Sequence, residues 1–313
     1  MNTELSAMQP YLQQVQLLVQ VLPVVFREKD FALKGGTAIN LFVRDLPRLS
    51  VDIDLVFLPH DERETALPKI KAALDRIADD LRQALPGAEV VRAYQDKEDA
   101  LRLVVRRGAE NIKIELSPVL RGTVLEPQVQ GISPLAEEQF GFVQAPLVSL
   151  ADLYGGKICA ALDRQHPRDL FDVRLLLQEN GLTDQIRRVA LVYILSHPRP
   201  VSELLFPHFK DLTGVYRSEF QGMTRQHVSL DDLVAARLEL VQRLQAGLTA
   251  SDKHFLLAFK RGDPDWNRSG FPGIEDLPAL RWKQRNLERM GLAKRRQAVS
   301  RLEGLLAEVG AKT

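Results

Sequence analysis

The 313-residue chain lacks several features that define common protein classes. Its single cysteine, Cys159, excludes an internal disulfide. No apolar run reaches the roughly 18 residues expected of a membrane-spanning helix. The N-terminal segment MNTELSAMQPYLQQVQ has no basic region followed by an apolar core, so it does not read as a signal peptide. These absences predict a cytoplasmic protein with no membrane partner.

Charge excess and familiar catalytic motifs are also missing. The net charge is only +1, so any affinity for nucleic acid has to come from local patches. The six histidines show no metal-ligand spacing, and with one cysteine no zinc site is expected. The sequence contains no P-loop, no G-x-G-x-x-G fingerprint and no G-x-S-x-G elbow, which argues against three large classes of enzyme.

Hydrophobic periodicity predicts alternating helices and strands in the first 120 residues or so. Residues 8–29, 37–43 and 61–85 read as helices. Residues 31–34, 51–58, 90–94, 101–107 and 111–116 read as strands, the last two forming a hairpin that turns at residues 108–110. This pattern predicts an α+β fold, with a mixed sheet flanked by helices.

From Leu147 onward the apolar period is helical almost throughout. Helices are predicted at 149–165, 168–179, 183–195, 231–247, 251–260 and 279–308. Residues 117–146 are rich in proline and glycine and read as the domain junction. We therefore expect two domains, residues 1–147 with the sheet and residues 148–313 mainly α-helical.

The segment SVDIDLVF contains two carboxylates inside an apolar strand, where aspartate is disfavoured. Asp52 and Asp54 are separated by one residue, so their side chains share one face of the strand. Two neighbouring carboxylates repel each other unless a cation lies between them. Hard divalent ions prefer such oxygens, and the pair therefore predicts a Mg²⁺ or Mn²⁺ site.

Upstream of this strand, Gly35, Gly36 and Thr37 lie between a predicted strand and a helix start. Glycines let backbone amides approach an anion closely, as in a phosphate cradle. A cradle followed by a metal-holding strand suits phosphoryl or nucleotidyl transfer. Glu115, which shares a strand face with Lys113, is the candidate third carboxylate. The alternative is that both side chains line the solvated face of a hairpin.

These motifs resemble those of the DNA polymerase β-type nucleotidyltransferases. More narrowly, KGGTA followed by RLSVDIDL is similar to the AbiEii family, the toxin half of AbiE-type toxin–antitoxin systems. The stretch SLADLYGGKICAALDRQHPRDLFDVRLLL, residues 149–177, is similar to the family's second motif region. The resemblance implies an NTP-dependent toxin that adds a nucleotide to a tRNA 3′ end. It also implies an AbiEi-type antitoxin. There are two alternatives. The acceptor is a protein hydroxyl, or the chain is a catalytically silent module that binds a nucleotide and regulates a partner.

The resemblance and the pattern name two sets of site residues. The catalytic set is Asp52, Asp54, Glu115, Lys157 and Asp169. The nucleotide-binding set is Gly35, Gly36, Thr37, Arg48, Ser50 and Lys157.

The second motif region leaves three alternatives open. Lys157 either contacts the triphosphate or is a surface lysine. Asp169 either belongs to the site or caps a helix, with Arg168 pairing with Asp172, and which aspartate matters more is open. Gly155 and Gly156 reflect either close packing or close approach of a ligand.

The residues after Ser251 contain 13 Lys or Arg against 8 Asp or Glu. A basic helical surface suits an RNA backbone, and Trp266 and Trp282 could stack on bases. The alternative is a solvated helix pair with the tryptophans packed beneath it. The predicted acceptor-binding residues are Arg281, Lys283, Arg285, Arg295 and Arg296.

Overall fold

The computed structural model describes residues 2–95, 99–179 and 181–310. The chain divides into two compact units. Unit 1 comprises Met1–Ser149 and Phe220–His227, and unit 2 comprises Leu150–Glu219 and Val228–Thr313. The return of Phe220–His227 to unit 1 was not predicted. It rests on backbone pairing, because Leu49 N donates to Met223 O at 3.1 Å.

Unit 1 contains a seven-stranded mixed sheet in the order β3-β4-β5-β2-β1-β7-β6. The β1–β7 and β2–β5 pairs are parallel, and the other pairs are antiparallel. The expected mixed sheet and α+β class are thus confirmed. The strands are β1 (Phe31–Lys34), β2 (Asp52–Phe57), β3 (Glu89–Arg92), β4 (Arg102–Arg107), β5 (Glu110–Leu116), β6 (Gln128–Gly131) and β7 (Gln144–Leu147).

Helix α3 (Arg63–Ala84) begins and ends within two residues of the predicted helix 61–85. Helix α1 (Asn2–Val25) begins and ends four to six residues before the predicted helix 8–29, and α4 (Pro134–Phe140) was not predicted. In α3, apolar residues three or four apart are buried, including Ile70, Leu74 and Ile77, as an amphipathic helix requires. The short helix α2 continues directly into a π-helical turn, Ile39–Val43. The described helices of this unit are α1 (Asn2–Val25), α2 (Gly35–Ala38), α3 (Arg63–Ala84) and α4 (Pro134–Phe140).

The prediction that residues 117–146 form a domain junction is wrong. The segment contains β6, α4 and most of β7, and β7 pairs in parallel with β1 through Leu147 and Leu33. These strands have only four residues each, and their sequences QVQG and QAPL lack an apolar alternation. The hairpin is also tighter than predicted, because Glu110 already pairs with Arg107 and leaves a two-residue turn.

Within its described residues, unit 2 contains helices and loops but no strand. The helices α8 (Val201–Leu205) and α9 (Thr213–Glu219) were not predicted, because they are too short to show a period. The predicted helix 279–308 is two helices, interrupted near Gly291. The helices are α5 (Leu150–Asp163), α6 (Pro167–Glu179), α7 (Asp184–Ser196), α8 (Val201–Leu205), α9 (Thr213–Glu219), α10 (Leu230–Ala246), α11 (Ala250–Arg261), α12 (Pro278–Glu288) and α13 (Leu292–Gly310).

No helix in the described part of the chain combines the length and apolar character needed to cross a bilayer.

Helix packing explains one of the two adjacent glycines of α5, Gly155. A Cβ atom on Gly155 would lie 2.9 Å from Val189 Cγ1 and 3.1 Å from Ala190 N of α7. Real Cβ contacts are rarely so short, so Gly155 permits close packing of the two helices.

Gly155→Ala should therefore destabilise the protein by about 1–3 kcal/mol, because the new methyl group overpacks the α5–α7 contact. Gly156→Ala is the matched control. Its Cβ would lie 3.5 Å from Tyr193 Cε1, an ordinary contact, and alanine gains up to about 1 kcal/mol of helix propensity. Urea unfolding of both variants measures the difference. Equal stability of the two variants would show that packing does not select Gly155.

Candidate active site

Strand β2 places two carboxylates on one face of the sheet. Asp52 and Asp54 are partly buried, whereas Ile53 and Leu55 are fully buried on the opposite face. The parallel register aligns Asp54 with Glu115 on β5. Directly opposed residues share a face, so the three carboxylates lie side by side.

A row of four charged residues crosses this face of the sheet. Lys34, Asp54, Glu115 and Arg102 occupy opposed positions on β1, β2, β5 and β4. Arg102 Nε lies 2.5 Å from Glu115 Oε1. Burial raises the pKa of Glu115, Arg102 lowers it, and the charges of Asp54 and Asp52 raise it again. The carboxylates are thus close enough to interact, and Arg102 offsets part of their repulsion.

The glycine pair lies against these side chains. Gly35 has a φ of +75°, and a Cβ atom there would overlap the Asp54 carboxylate. A Cβ atom on Gly36 would lie 2.8 Å from both Arg48 Nη2 and Ser50 Oγ. Larger residues would therefore displace Asp54, Arg48 or Ser50. The structure brings all the predicted nucleotide-binding residues of unit 1 together around this turn.

Thr37 and Arg48 use their polar groups on nearby protein atoms. Thr37 Oγ1 donates to Asp52 O at 2.6 Å and lies 3.1 Å from Ser50 Oγ. Arg48 is 2% exposed, and its Nη1 donates to Leu49 O at 2.9 Å. These bonds fix α2 and the entry to β2 against each other. Thr37 and Arg48 are therefore suited to shaping the turn that surrounds Asp52 and Asp54.

The donor set fits a divalent cation. Asp52 and Asp54 offer hard oxygen ligands, and the absence of a side chain at Gly35 makes room for the Asp54 carboxylate itself. Among the described residues, no group of three or more His, Cys, Asp or Glu side chains could hold a metal ion. An ion bound here would need oxygen ligands from phosphate and water as well, which is how Mg²⁺ commonly binds.

In unit 2, Lys157 lies inside a cluster of charges. Its side chain is 7% exposed, and Nζ lies 2.9 Å from Asp169 Oδ1 and 3.1 Å from Asp172 Oδ2. Both aspartates are fully buried, and Arg164 binds Asp169 with two nitrogens. The alternative that Lys157 is a surface lysine is wrong. The alternative pair of Arg168 with Asp172 is also wrong, because Arg168 faces Glu219 at 3.7 Å.

The electrostatics of this cluster favour ionised Asp169. Burial alone would raise the pKa of Asp169, but the charges of Lys157 and Arg164 lower it well below its usual range. Since the folded pKa lies below the unfolded value, the stabilisation is complete above about pH 4 and is lost as pH falls. Asp169 is thus held as a carboxylate at neutral pH.

Lys157→Met should lower the free energy of unfolding by about 3–5 kcal/mol, because it leaves two buried carboxylates without their shared cation. Arg164→Met is the control, since the Arg164 side chain is 59% exposed and its loss should cost less. Chemical denaturation at pH 7 compares the two variants. A Lys157→Met protein as stable as the parent would contradict the cluster.

The predicted acceptor-binding residues have different surroundings. Lys283 Nζ donates to three backbone carbonyls after α7, those of His197, Pro198 and Arg199. Burial, followed by the charge of Lys260, lowers the pKa of Lys283 to about 8. Arg285 and Arg296 are exposed, and Arg281 and Arg295 are partly buried.

The two tryptophans also differ. Trp266 makes edge contacts with Phe255 and Phe259 at about 6 Å, so it packs against α11. Trp282 is 41% exposed. Of the two, Trp282 offers the more accessible ring for stacking.

Comparisons with known proteins assign this chain to a family. The model of the nucleotidyl transferase AbiEii toxin, type IV toxin–antitoxin system, matches residues 16–286. The chain belongs to the AbiEii family. It is therefore a nucleotidyltransferase, and the family describes toxins of type IV toxin–antitoxin systems. The resemblance in the sequence is confirmed. The match does not test the individual site residues, which stay predictions.

Solved structures add evidence on the fold. The nucleotidyltransferase toxin MenT4 from Mycobacterium tuberculosis H37Rv is 15% identical, with a TM-score of 0.60 over 90% of this chain and 99% of that chain. Terminal uridylyl transferase 4 from Trypanosoma brucei with bound CTP is 11% identical, with a TM-score of only 0.27 over 92% of each chain. A comparison with curated protein sequences finds no significant match. The likeness to MenT4 supports the fold alone.

Arg102→Met should move the acidic limb of the pH–rate profile to higher pH. Removing this cation raises the pKa of Glu115 further, so the carboxylate is lost at a higher pH. Arg106→Met is the matched control on the same strand, because Arg106 lies 3.6 Å from Glu89 and outside the charged row. An acidic limb that stays in place would show that ionisation of Glu115 does not limit the rate.

Proposed function

We propose that this AbiEii-family toxin transfers a nucleoside monophosphate from an NTP to an RNA acceptor, with Mg²⁺ or Mn²⁺ held by Asp52 and Asp54. The observation that carries the proposal is the row of three carboxylates beside the Gly35–Gly36 turn. A divalent cation is complementary both to these carboxylates and to the phosphates of a nucleoside triphosphate, so it would bridge two groups of like charge. A bound ion would neutralise the triphosphate and the departing pyrophosphate.

The protein groups around the turn orient the nucleotide. The backbone of Gly35 and Gly36 can approach phosphate oxygens because neither residue carries a side chain. A Cβ atom on Gly36 would lie 2.8 Å from Arg48 Nη2 and from Ser50 Oγ, so these two side chains pack directly against the turn. The contact between Lys157 and the triphosphate, which the family resemblance implies, stays a prediction.

Glu115 is the better candidate to orient or deprotonate the acceptor hydroxyl. A general base works best when its pKa approaches the working pH. The pKa of Glu115 is raised by burial, whereas that of Asp169 is lowered by Lys157 and Arg164. Asp169 is also buried and bound by two cations, so it has little capacity to accept a proton.

The proposed acceptor is a tRNA 3′ end, and the proposed partner is an AbiEi-type antitoxin. Membership of a toxin family supports the antitoxin proposal. The tRNA acceptor is what the family resemblance in the sequence implies. The excess of five positive charges after Ser251 supports an RNA acceptor, because phosphate contacts dominate affinity for nucleic acids. A protein hydroxyl remains the competing acceptor to be tested.

The deciding experiment incubates the purified protein with each α-labelled NTP, total tRNA and Mg²⁺ or Mn²⁺. Label on RNA in denaturing gels is the expected result, and it should disappear with EDTA. Nuclease and protease treatment of the product identify the acceptor. Label that resists nuclease and is removed by protease would replace RNA with a polypeptide acceptor.

Asp52→Asn and Asp54→Asn should each lower the rate of transfer by at least about 100-fold, since each removes a metal ligand and its charge. Thermal stability without metal should be unchanged or slightly higher, because repulsion in the carboxylate row is relieved. Glu110→Gln, on β5 but outside the row, is the control and should retain activity. Near-parental turnover in either aspartate variant would rule out the metal assignment.

A further inference from the structure

Unit 2 contains a basic cavity that the proposed reaction does not use. Its volume is about 290 Å³, and it is lined by the start of α8, the end of α11 and one face of α13. The cations on its wall are Lys260, Lys294 and Arg301. Among the described residues, the lining includes no aspartate or glutamate. The described lining thus carries three positive charges and no negative charge.

The three cations have no anionic partner in the part of the chain that the structure describes. Within the described residues, none of Lys260, Lys294 and Arg301 forms an ion pair, although the adjacent Arg261 lies 3.5 Å from Glu303. Lys260 is partly buried, and burial lowers its pKa. A partly desolvated lysine in a cavity wall that also carries two exposed cations, Lys294 and Arg301, is unfavourable without a counter-charge. An anion would supply that counter-charge.

The rest of the cavity wall is apolar and includes Val201, Met290 and Leu302. Small-molecule sites commonly combine an apolar wall with a few convergent polar groups, in volumes of roughly 300–1,000 Å³. The cavity is at the lower end of that range. Arginine binds phosphate oxygens in a bidentate manner, and the flexible thioether of methionine packs against varied shapes. A ligand with a phosphate and a small apolar portion matches both walls.

We propose that this cavity binds one phosphate-bearing nucleotide unit, with the phosphate between Lys260, Lys294 and Arg301 and the nucleoside against Met290 and Val201. The unit is either part of an RNA strand or a free mononucleotide. The RNA source rests on the proposed function, whereas the free nucleotide does not. These cations differ from the acceptor-binding residues predicted from the sequence.

The test measures binding of AMP and of a fluorescent 12-nucleotide RNA to the full chain carrying Asp54→Asn, with EDTA present. These conditions exclude turnover and metal-dependent binding at the carboxylates, so failure of the proposed reaction would not affect the result. Lys260→Gln and Arg301→Gln should each weaken binding about tenfold or more. Arg301→Gln should also lower the salt slope for RNA by about one. Lys253→Gln, on α11 outside the cavity, is the control.

The pattern of binding distinguishes the sources. Loss of affinity for RNA alone assigns the cavity to a nucleotide of the acceptor, and loss for AMP assigns it to a free nucleotide. Melting temperatures establish that each variant is folded, and Arg301 is exposed, so its replacement should not disturb folding. Unchanged affinity for both probes in both cavity variants would overturn the proposal.

Discussion

Repulsion among three carboxylates on one sheet face is the constraint on which unit 1 depends. Asp52, Asp54 and Glu115 lie together because the parallel β2–β5 register aligns them. Lys34 on β1 and Arg102 on β4 flank these carboxylates, so positive charge lies on both sides of them. The opposite face is apolar and fully buried at Ile53 and Leu55. Burial on that face fixes the strand, and the charged face then presents the carboxylates that are proposed to hold a cation.

In unit 2, the repulsion between buried carboxylates is offset by a cation of the protein itself. Asp169 and Asp172 are more deeply buried than the carboxylates of the row, and Lys157 lies between them as their shared cation. Removing a partner from such a cluster is far more costly than breaking a surface pair. Variants at Lys157 therefore need a stability measurement before any loss of activity is assigned to nucleotide binding. At Asp52 and Asp54 the loss of one charge relieves repulsion, whereas the loss of Glu115 would also remove the partner of Arg102.

The sequence predicts the parts of this protein that depend on local pattern. Asp52 and Asp54 share a face because of the period of two, and α3 follows its apolar spacing. The pairing of Arg102 with Glu115 depends on hairpin register, and β7 depends on a partner more than 100 residues earlier. Neither pairing produces a recognisable pattern in the local sequence. The partners of Lys157 lie on the next helix, so its burial could not be seen in the periodicity of α5 alone.

The structure gives Gly35 a role that the motif alone does not reveal. The sequence suggests that Gly35 lets backbone amides approach a phosphate. In the structure, the space of its missing Cβ is occupied by the Asp54 carboxylate, and the positive φ independently disfavours a side chain. Gly35 and Asp54 therefore depend on each other, since any larger residue would push away the carboxylate proposed to hold the metal. The Gly-Gly turn and the acidic strand form one structural unit, and this explains why both motifs occur together.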